Sequence, residues 1–255
     1  MTLKTFDLTG RRALITGSGS GIGLAYAEGL AGAGCEIVLN GRDRDKLAKA
    51  EAGLKARGFK ASSSAFDVTD PGAVAAGVDT IERQIGPIHI LVNNAGMTIR
   101  QPLEEFPDDA WRRVMATNID SVFYVSKAVA RHMLPRGYGK IINTCSVMSE
   151  LGRPSIAPYT ASKGAVKMMT RQMAVEWGRR GIRSNGIAPG YFRTELTDAL
   201  VKDAAFSSWL EARTPLGRWG DVSELQGACV FLASAASDFV TGHVLFVDGG
   251  LTASV

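Results

Sequence analysis

Short, nearly uninterrupted apolar runs recur along the chain and alternate with longer segments of helical periodicity. Such runs are typical of parallel strands whose two faces are both buried under helices. The runs predict strands at 13–16, 36–39, 88–92, 141–145, 182–188 and 244–247, and a weaker, polar strand at 61–66. We therefore predict an α/β fold, a doubly wound seven-stranded parallel sheet with helices on both faces.

One stretch departs from this alternation. About thirty residues separate Pro189 from the next predicted helix near Asp221. Its apolar positions favour a short amphipathic piece rather than a strand: Leu196, Ala199, Leu200 and Phe206. Insertions at the carboxyl edge of a sheet often cover a ligand. We predict a single domain over 1–255 with a substrate lid at 190–217, a peripheral loop being the alternative.

The composition is that of a folded chain with a sizeable core. Of 255 residues, 45% are hydrophobic, and 29 basic against 25 acidic residues give a net charge of +4. The basic residues are scattered among the acids, which argues against a nucleic-acid partner. No apolar run approaches the roughly 18 residues of a membrane span, and the first residues lack a secretory pattern. We expect a cytoplasmic protein without a membrane partner.

Neither the cysteines nor the histidines indicate a disulfide or a metal site. Cys35, Cys145 and Cys229 are odd in number and far apart, which favours buried, unpaired thiols in a reducing compartment. The three histidines lie apart from one another, and none has a neighbouring ligand at metal-binding spacing. We expect no metal.

A segment with the spacing Gly-x-x-x-Gly-x-Gly follows the first predicted strand and opens a helix. Gly17 and Gly21 let the backbone turn sharply and approach a pyrophosphate, and Gly23 lets the helix pack on the sheet. The first N–H groups of the helix then face the anion. We interpret the segment as the pyrophosphate site of a Rossmann-type domain, formed by Gly17, Ser18, Ser20, Gly21, Ile22 and Gly23.

The residues after the second strand predict which dinucleotide binds. An NAD site usually has an acid there for the ribose hydroxyls, whereas this chain has Asn40 and Arg42. Asn40 would not repel a 2′-phosphate, and Arg42 would bind it through a forked contact. We predict NADP, with NAD as the alternative if Arg42 is only solvated. Adenine and ribose are expected at the same sheet edge, near Asp67, Val68, Asn94, Ala95 and Gly96.

Tyr159 and Lys163 lie four residues apart on a helical stretch and share one face. Because a free tyrosine has a pKa near ~10, a neighbouring ammonium would favour the phenolate. Ser146 would hydrogen-bond the substrate oxygen as it gains charge, and Asn118 would anchor a water between Lys163 and solvent. Each residue alone also fits a structural role: a surface pair, a strand-end cap, a satisfied helix residue. Their joint order behind the glycine turn favours catalysis.

Together these pieces resemble the short-chain dehydrogenase/reductase family over essentially the whole chain. The matching positions are 16–23, Asp67, 93–96, Asn118, Ser146, Tyr159, Lys163 and 189–190. The resemblance implies that Tyr159 is the acid and base, Lys163 lowers its pKa and binds the nicotinamide ribose, Ser146 orients the substrate, and Asn118 is a relay.

The resemblance carries further expectations for the cofactor and the assembly. Residues 187–194 would pass beside the nicotinamide, which adds Pro189, Gly190, Phe192 and Thr194 to the cofactor set. A homotetramer is expected. One departure is Ser20, where NADP-preferring relatives often carry a basic residue, so that selection of the phosphate depends on Arg42.

Shorter strings such as 102–106 and 188–192 resemble members of the family that act on open-chain sugar acids. Such a substrate needs a cation for its carboxylate and polar groups for its hydroxyls. We expect Arg100, or as a second choice Arg153, to bind the substrate carboxylate. The alternative for each arginine is a solvated charge in a loop. Glu150 is a hydroxyl acceptor in this interpretation, and Ser146 and Tyr159 complete the substrate set.

Three alternatives remain open at this stage. Another reductase of the family, such as a 3-oxoacyl-[acyl-carrier-protein] reductase or a polyol dehydrogenase, would share the catalytic residues and differ in the lid and the loop arginines. A non-catalytic module that senses the dinucleotide would not need the full set of Ser146, Tyr159, Lys163 and Asn118. A methyltransferase usually needs an acid after the second strand, where Asn40 stands.

Overall fold

The computed structural model describes residues 3–254, and all seven predicted strands are present in it. They are β1 (Arg12–Ile15), β2 (Glu36–Gly41), β3 (Ala61–Ala65), β4 (Ile90–Asn93), β5 (Gly139–Thr144), β6 (Ile182–Pro189) and β7 (Val244–Val247). Each neighbouring pair is parallel, in the order β3-β2-β1-β4-β5-β6-β7. The doubly wound parallel sheet is therefore confirmed.

The strand ends differ from the predicted ones by one or two residues because an apolar run and a hydrogen-bonded run need not coincide. Ile88 is fully buried although it lies before the start of β4. Its apolar side chain made the predicted strand begin too early. Cys145 is also buried and follows the last residue of β5.

Nine α-helices are present within residues 3–254 and connect the strands. They are α1 (Gly21–Gly32), α2 (Arg44–Ala56), α3 (Pro71–Thr80), α4 (Asp108–Met115), α5 (Ser121–Arg136), α6 (Ala157–Trp177), α7 (Asp198–Val201), α8 (Ala204–Arg213) and α9 (Gln226–Ala233). Asp43 and Asp70 cap α2 and α3 by accepting hydrogen bonds from backbone N–H groups of the first turn.

The helices cover both faces of the sheet, as the apolar runs require. One core contains residues of α1, α2 and α9 packed on alternate positions of the strands, including Ile15. The other contains residues of α3, α5 and α6 and includes the adjacent Leu14. Neighbouring residues of one strand therefore enter opposite cores, which explains why strands such as β1 and β4 are apolar at successive positions.

The region between β6 and α9 is helical. A 3₁₀ turn at Glu195–Thr197 leads into α7 and then α8. The helix expected near Asp221 begins as a 3₁₀ turn, Val222–Leu225, which Asp221 caps, and α9 follows directly. The expected amphipathic piece is thus two short helices.

The cysteines are buried and unpaired, as expected. Over residues 3–254 there is no group of three potential metal-ligating His, Cys, Asp or Glu side chains. Within that same range, the helices are too short or too polar to cross a membrane.

Candidate active site

The order of the strands reverses between β1 and β4, and ligands of doubly wound folds bind at such a point. The turns that follow these two strands lie side by side. The side-chain amide of Asn94 donates to the carbonyl oxygens of Thr16 at 3.1 Å and Gly17 at 3.0 Å. The glycine turn and the 94–96 turn are thereby joined at the crevice, as the sequence predicts.

Two glycines of this turn have no room for a side chain. Gly17 has a φ of +62°, and a Cβ atom there would lie 2.9 Å from the Cα of Ala95. A Cβ on Gly23 would overlap the carbonyl oxygen of Gly17. Ser20, the N-cap of α1, makes no side-chain cap hydrogen bond. The first N–H groups of α1 therefore remain available to an anion in this cradle, which fits a pyrophosphate.

Two connected cavities extend from the cradle and share Gly96. The larger, of about 420 Å³, is lined by Ser20, Gly21, Ile22, Gly23, Asn94, Gly96, Thr144, Tyr159, Lys163, Thr194, Glu195 and Leu196. The smaller, of about 160 Å³, is lined by Gly17, Asn40, Gly41, Arg42, Phe66, Asp67, Val68, Thr69, Ala95, Gly96 and Thr117. An elongated ligand with a central anionic group fits this arrangement.

The smaller cavity ends at Arg42 and Asp67. The Arg42 guanidinium lies 3.7 Å from the Asp67 carboxylate, and its side chain is 76% exposed. Although burial raises the pKa of Asp67, hydrogen bonds from Thr69 and the charge of Arg42 outweigh it, and the net pKa is lowered. Because this contact is exposed and therefore weak, its loss would cost little when Arg42 binds a phosphate.

Four residues of the predicted cofactor set do not line these two cavities: Ser18, Pro189, Gly190 and Phe192. The Ser18 hydroxyl donates to the Ile15 carbonyl at 2.7 Å and accepts from the Asn40 N–H at 3.0 Å. Asn40 does line the smaller cavity, but its side-chain amide donates to two backbone carbonyl oxygens at the end of β3. Phe192 packs in the core, and Pro189 ends β6 outside both cavities. These residues shape the site because polar side chains at strand ends first satisfy buried backbone groups.

Tyr159 and Lys163 lie on one face of α6, as their spacing predicts, and both reach the larger cavity. The Lys163 ammonium is 5.6 Å from the centre of the Tyr159 ring and donates to the Thr144 carbonyl at 2.6 Å. Ser146 lies two residues beyond β5, where its hydroxyl caps a 3₁₀ turn by accepting from the Met148 N–H at 3.1 Å. The end of β5 therefore positions Ser146 directly, and it positions Lys163 of α6 through the Thr144 carbonyl.

The expected lowering of the Tyr159 pKa by Lys163 is not seen in this structure. Burial raises the pKa of Tyr159 above its usual value, and the opposing influences are a hydrogen bond with Ser146 and the charge of Arg153. The ammonium faces the aromatic ring and is bound to a backbone carbonyl, which explains why it does not act on the hydroxyl. The phenol is therefore protonated near neutral pH, as a proton donor must be.

Asn118 lies in a π-helical turn, Ala116–Asp120, between α4 and α5, and not inside a regular helix. Its side-chain oxygen accepts from the Met97 N–H at 2.8 Å, and its amide donates to the Met97 carbonyl and the Ser162 hydroxyl. Both amide hydrogens are thus used to hold the loop after β4 against α6. Asn118 and Lys163 both approach Gly96, so the relay remains a prediction.

A third cavity, of about 90 Å³, adjoins the catalytic residues and shares Tyr159 with the 420 Å³ cavity. Its polar lining includes Arg100, Ser146 and Arg153, and Gly190 lines this cavity rather than the cofactor cavities. Residues Leu196, Thr197 and Leu200 close it from the side of the predicted lid. The structure thus brings both proposed arginines to the catalytic hydroxyls.

Glu150 is not part of this cavity, contrary to expectation. Its carboxylate forms an ion pair with Lys167 of α6, which turns it toward the helix surface. Sequence reasoning also missed Tyr191 and Thr98, which do line the cavity. The Thr98 hydroxyl is buried and has no hydrogen-bond partner within residues 3–254. Its position, two residues beyond Gly96, was the only signal in the sequence.

Known proteins resemble this chain over nearly its full length. A family model described as Enoyl-(Acyl carrier protein) reductase matches residues 17–252. A gluconate 5-dehydrogenase of Gluconobacter oxydans is 60% identical over 250 residues, with 98% of each chain covered. The chain belongs to the short-chain dehydrogenase/reductase family. As a short-chain dehydrogenase/reductase, the protein is an oxidoreductase.

Two further comparisons concern the same branch of the short-chain dehydrogenases/reductases. A 5-keto-D-gluconate 5-reductase of Escherichia coli is 54% identical over 250 residues and covers 98% of each chain. The crystal structure of a gluconate 5-dehydrogenase from Burkholderia cenocepacia in complex with NADP and tartrate has a TM-score of 0.97, 59% identity and 99% coverage of both chains.

Proposed function

We propose that the protein interconverts D-gluconate and 5-dehydro-D-gluconate with NADP(H). The observation that carries this proposal is the small cavity beside Tyr159 and Ser146, which has two guanidinium groups and no acidic side chain in its lining. A cavity with this charge favours an anionic substrate over a neutral one. The named activities of the relatives that are 54% and 60% identical support the choice of acid.

The chemistry that this chain's own residues perform is a proton transfer. The Ser146 hydroxyl donates to the C5 carbonyl oxygen and stabilises the charge that develops there. The Tyr159 hydroxyl gives its proton to the same oxygen during reduction and takes it back during oxidation. The bound dinucleotide supplies or accepts the hydride. Arg100 holds the substrate carboxylate so that C5 faces these two hydroxyls.

The cofactor would be held by groups already aligned along the crevice. The cradle at Gly17 and Gly21 would take the pyrophosphate, and Thr194 lies beside Gly21. Lys163 would bind the nicotinamide ribose. Its ammonium would then donate to a ribose hydroxyl in place of the Thr144 carbonyl. Arg42 would bind a 2′-phosphate, and the NADP complex of the similar Burkholderia enzyme supports this choice of dinucleotide.

Arg42→Ala should weaken NADPH use selectively. Because Arg42 would contact only the 2′-phosphate, we expect kcat/KM with NADPH to fall about tenfold and that with NADH to stay nearly unchanged. Arg44→Ala, which removes a neighbouring exposed arginine at the start of α2, is the matched control and should change neither. An equal loss with both cofactors would refute phosphate selection by Arg42.

Dinucleotide binding should weaken as Lys163 loses its proton. Burial lowers the pKa of Lys163 to about 8, so the ammonium predominates below that pH and the amine above it. We expect the dissociation constant of NADPH, measured by fluorescence, to rise several-fold from about pH 7 to about pH 9. Lys163→Met should bind weakly without this dependence. A wild-type affinity that is flat across the interval would contradict the role.

The proposal is tested by assaying the purified protein with NADPH on 5-dehydro-D-gluconate, 2-ketogluconate, ketohexoses and an oxoacyl thioester. We expect turnover of 5-dehydro-D-gluconate to exceed that of the others by at least about tenfold in kcat/KM. Preference for the thioester would indicate the acyl reductase alternative. Tight NADPH binding without turnover of any carbonyl would indicate a sensing module.

We further propose that residues 190–217 act as the substrate lid and that the protein is a cytoplasmic homotetramer. Leu196, Thr197 and Leu200 of this segment wall the substrate cavity, which supports the lid. Exposed apolar side chains on α4, α5 and α6 support association through these helices: Trp111, Phe123, Met168 and Val175. Light scattering of the purified protein measures the mass directly.

A further inference from the structure

The two arginines at the substrate cavity differ in what they already contact. Arg153 lies in the loop between Ser146 and α6, where its guanidinium donates to the Tyr191 hydroxyl at 3.4 Å and lies 5.2 Å over the Phe206 ring. Tyr191 follows β6, and Phe206 belongs to α8. Arg153 therefore links the catalytic loop to the lid segment through a hydrogen bond and a cation–π contact.

The partners of Arg153 form part of an aromatic cluster. Tyr191 packs edge-on against Trp219 at 5.8 Å and against Phe206 at 5.5 Å, and Phe206 also contacts Trp209 at 5.4 Å. The Trp219 indole N–H donates to the hydroxyl of Ser207 in α8. The cluster fixes α8 to the body of the domain, and Arg153 is the cationic group at its cavity side.

The guanidinium of Arg100 makes no comparable contacts. It forms no hydrogen bond or ion pair with another residue in the described range 3–254. Arg100 is exposed, whereas Arg153 is half-buried. Burial and the nearby charge of Arg153 lower its pKa, although not enough to deprotonate a guanidinium. Of the two guanidinium groups at the cavity, that of Arg100 is therefore the one available to an anion.

We propose that the two arginines divide the work: Arg100 binds the substrate carboxylate, and Arg153 is a positioning residue that holds Tyr191 and Phe206 so that the lid wall of the cavity is formed. This inference rests on the proposed function, since it assumes a carboxylate substrate. It predicts that Arg153 contributes to turnover of charged and neutral substrates alike, because its guanidinium is occupied by the protein.

The test compares oxidation of D-gluconate with that of D-glucitol, the same open carbon chain with a neutral hydroxymethyl group in place of the carboxylate. We expect Arg153→Met to lower kcat/KM about tenfold for both substrates, because methionine keeps the apolar stem and loses both contacts. Arg153→Lys keeps a cation over Phe206 and should stay within about threefold of wild type. Arg179→Ala, at an exposed arginine remote from the cavity, is the matched control.

The outcomes separate the two roles. A loss confined to D-gluconate would make Arg153 a second carboxylate anchor and overturn the proposal. Full activity of Arg153→Met would overturn it as well, because packing of the apolar stem alone would then be sufficient. Phe206→Leu should reproduce the loss of Arg153→Met, and the double variant should lose little more than either single variant.

Limited proteolysis tests the positioning role of Arg153 without any substrate. Trypsin cleavage after Lys202, between α7 and α8, should be several-fold faster in Arg153→Met than in wild type or Arg153→Lys, because the lid segment is less firmly held. If D-gluconate proves not to be a substrate, this readout still supports or contradicts the contact. Unchanged cleavage in Arg153→Met would contradict it.

Discussion

Replacing Tyr159 by phenylalanine should abolish turnover while leaving the cofactor site intact. The variant keeps the ring that lies 5.6 Å from Lys163 and removes only the hydroxyl that gives and takes the proton. We expect kcat to fall by at least about a thousandfold, since proton transfer by a positioned side chain contributes on the order of 10²–10⁴ and no neighbouring acid replaces it. The dissociation constant of NADPH should change less than about twofold.

The control for this prediction is a second tyrosine. Tyr138, at the opposite end of the sheet, packs against Arg11 and His89 through its ring. Tyr138→Phe should therefore keep wild-type kcat. Normal turnover by Tyr159→Phe would refute the assignment of the acid and base, and a parallel loss of NADPH affinity would show that the hydroxyl serves binding.

Arg100→Ala should raise the KM for 5-dehydro-D-gluconate by about 30- to 100-fold. The loss corresponds to one charge-assisted, forked contact between the guanidinium and the carboxylate, on the order of 2–3 kcal/mol. The KM for NADPH should be nearly unchanged, because Arg100 lines the substrate cavity alone. Initial rates with each ligand varied in turn measure both constants.

The selectivity of the Arg100→Ala effect distinguishes anchoring from a general disturbance of the site. Turnover of D-glucitol should be unaffected or rise slightly, because a neutral substrate has no carboxylate to lose. Arg100→Lys should recover part of the affinity, since an ammonium keeps the charge and loses the forked geometry. An equal rise in the KM for substrate and NADPH would count against the anchor.

The sheet was predictable because a strand buried on both faces requires apolar residues at successive positions, a pattern that is visible in the sequence. The strands β1, β2 and β4 each contribute residues to both hydrophobic clusters, so their apolar runs are nearly continuous and easily found, as at 13–16 and 88–92. The glycine turn was equally predictable, since at Gly17 and Gly23 any side chain would collide with backbone. The spacing of Tyr159 and Lys163 fixed their common helix face for the same geometric reason.

The direction of individual polar side chains was not predictable. Ser18 and Asn40 occupy positions expected of cofactor ligands, but their side chains hydrogen-bond to backbone groups at the ends of β1, β2 and β3. Glu150 is turned away by Lys167, a partner seventeen positions later in the chain. Such contacts depend on which helix faces which loop, and residue type alone does not contain that information. The contacts of Arg153 with Tyr191 and Phe206 likewise join segments that are far apart in the chain.

In the proposed reaction, C5 of a six-carbon acid faces the hydroxyls of Ser146 and Tyr159 while the carboxylate is bound by Arg100. The carbon-13 NMR spectrum of the product formed from D-gluconate and NADP⁺ by the purified protein reports which carbon is oxidised. We expect a single keto carbon, at C5. A keto carbon at C2 or C3, or no product under conditions in which another alcohol is oxidised, would contradict the proposed reaction.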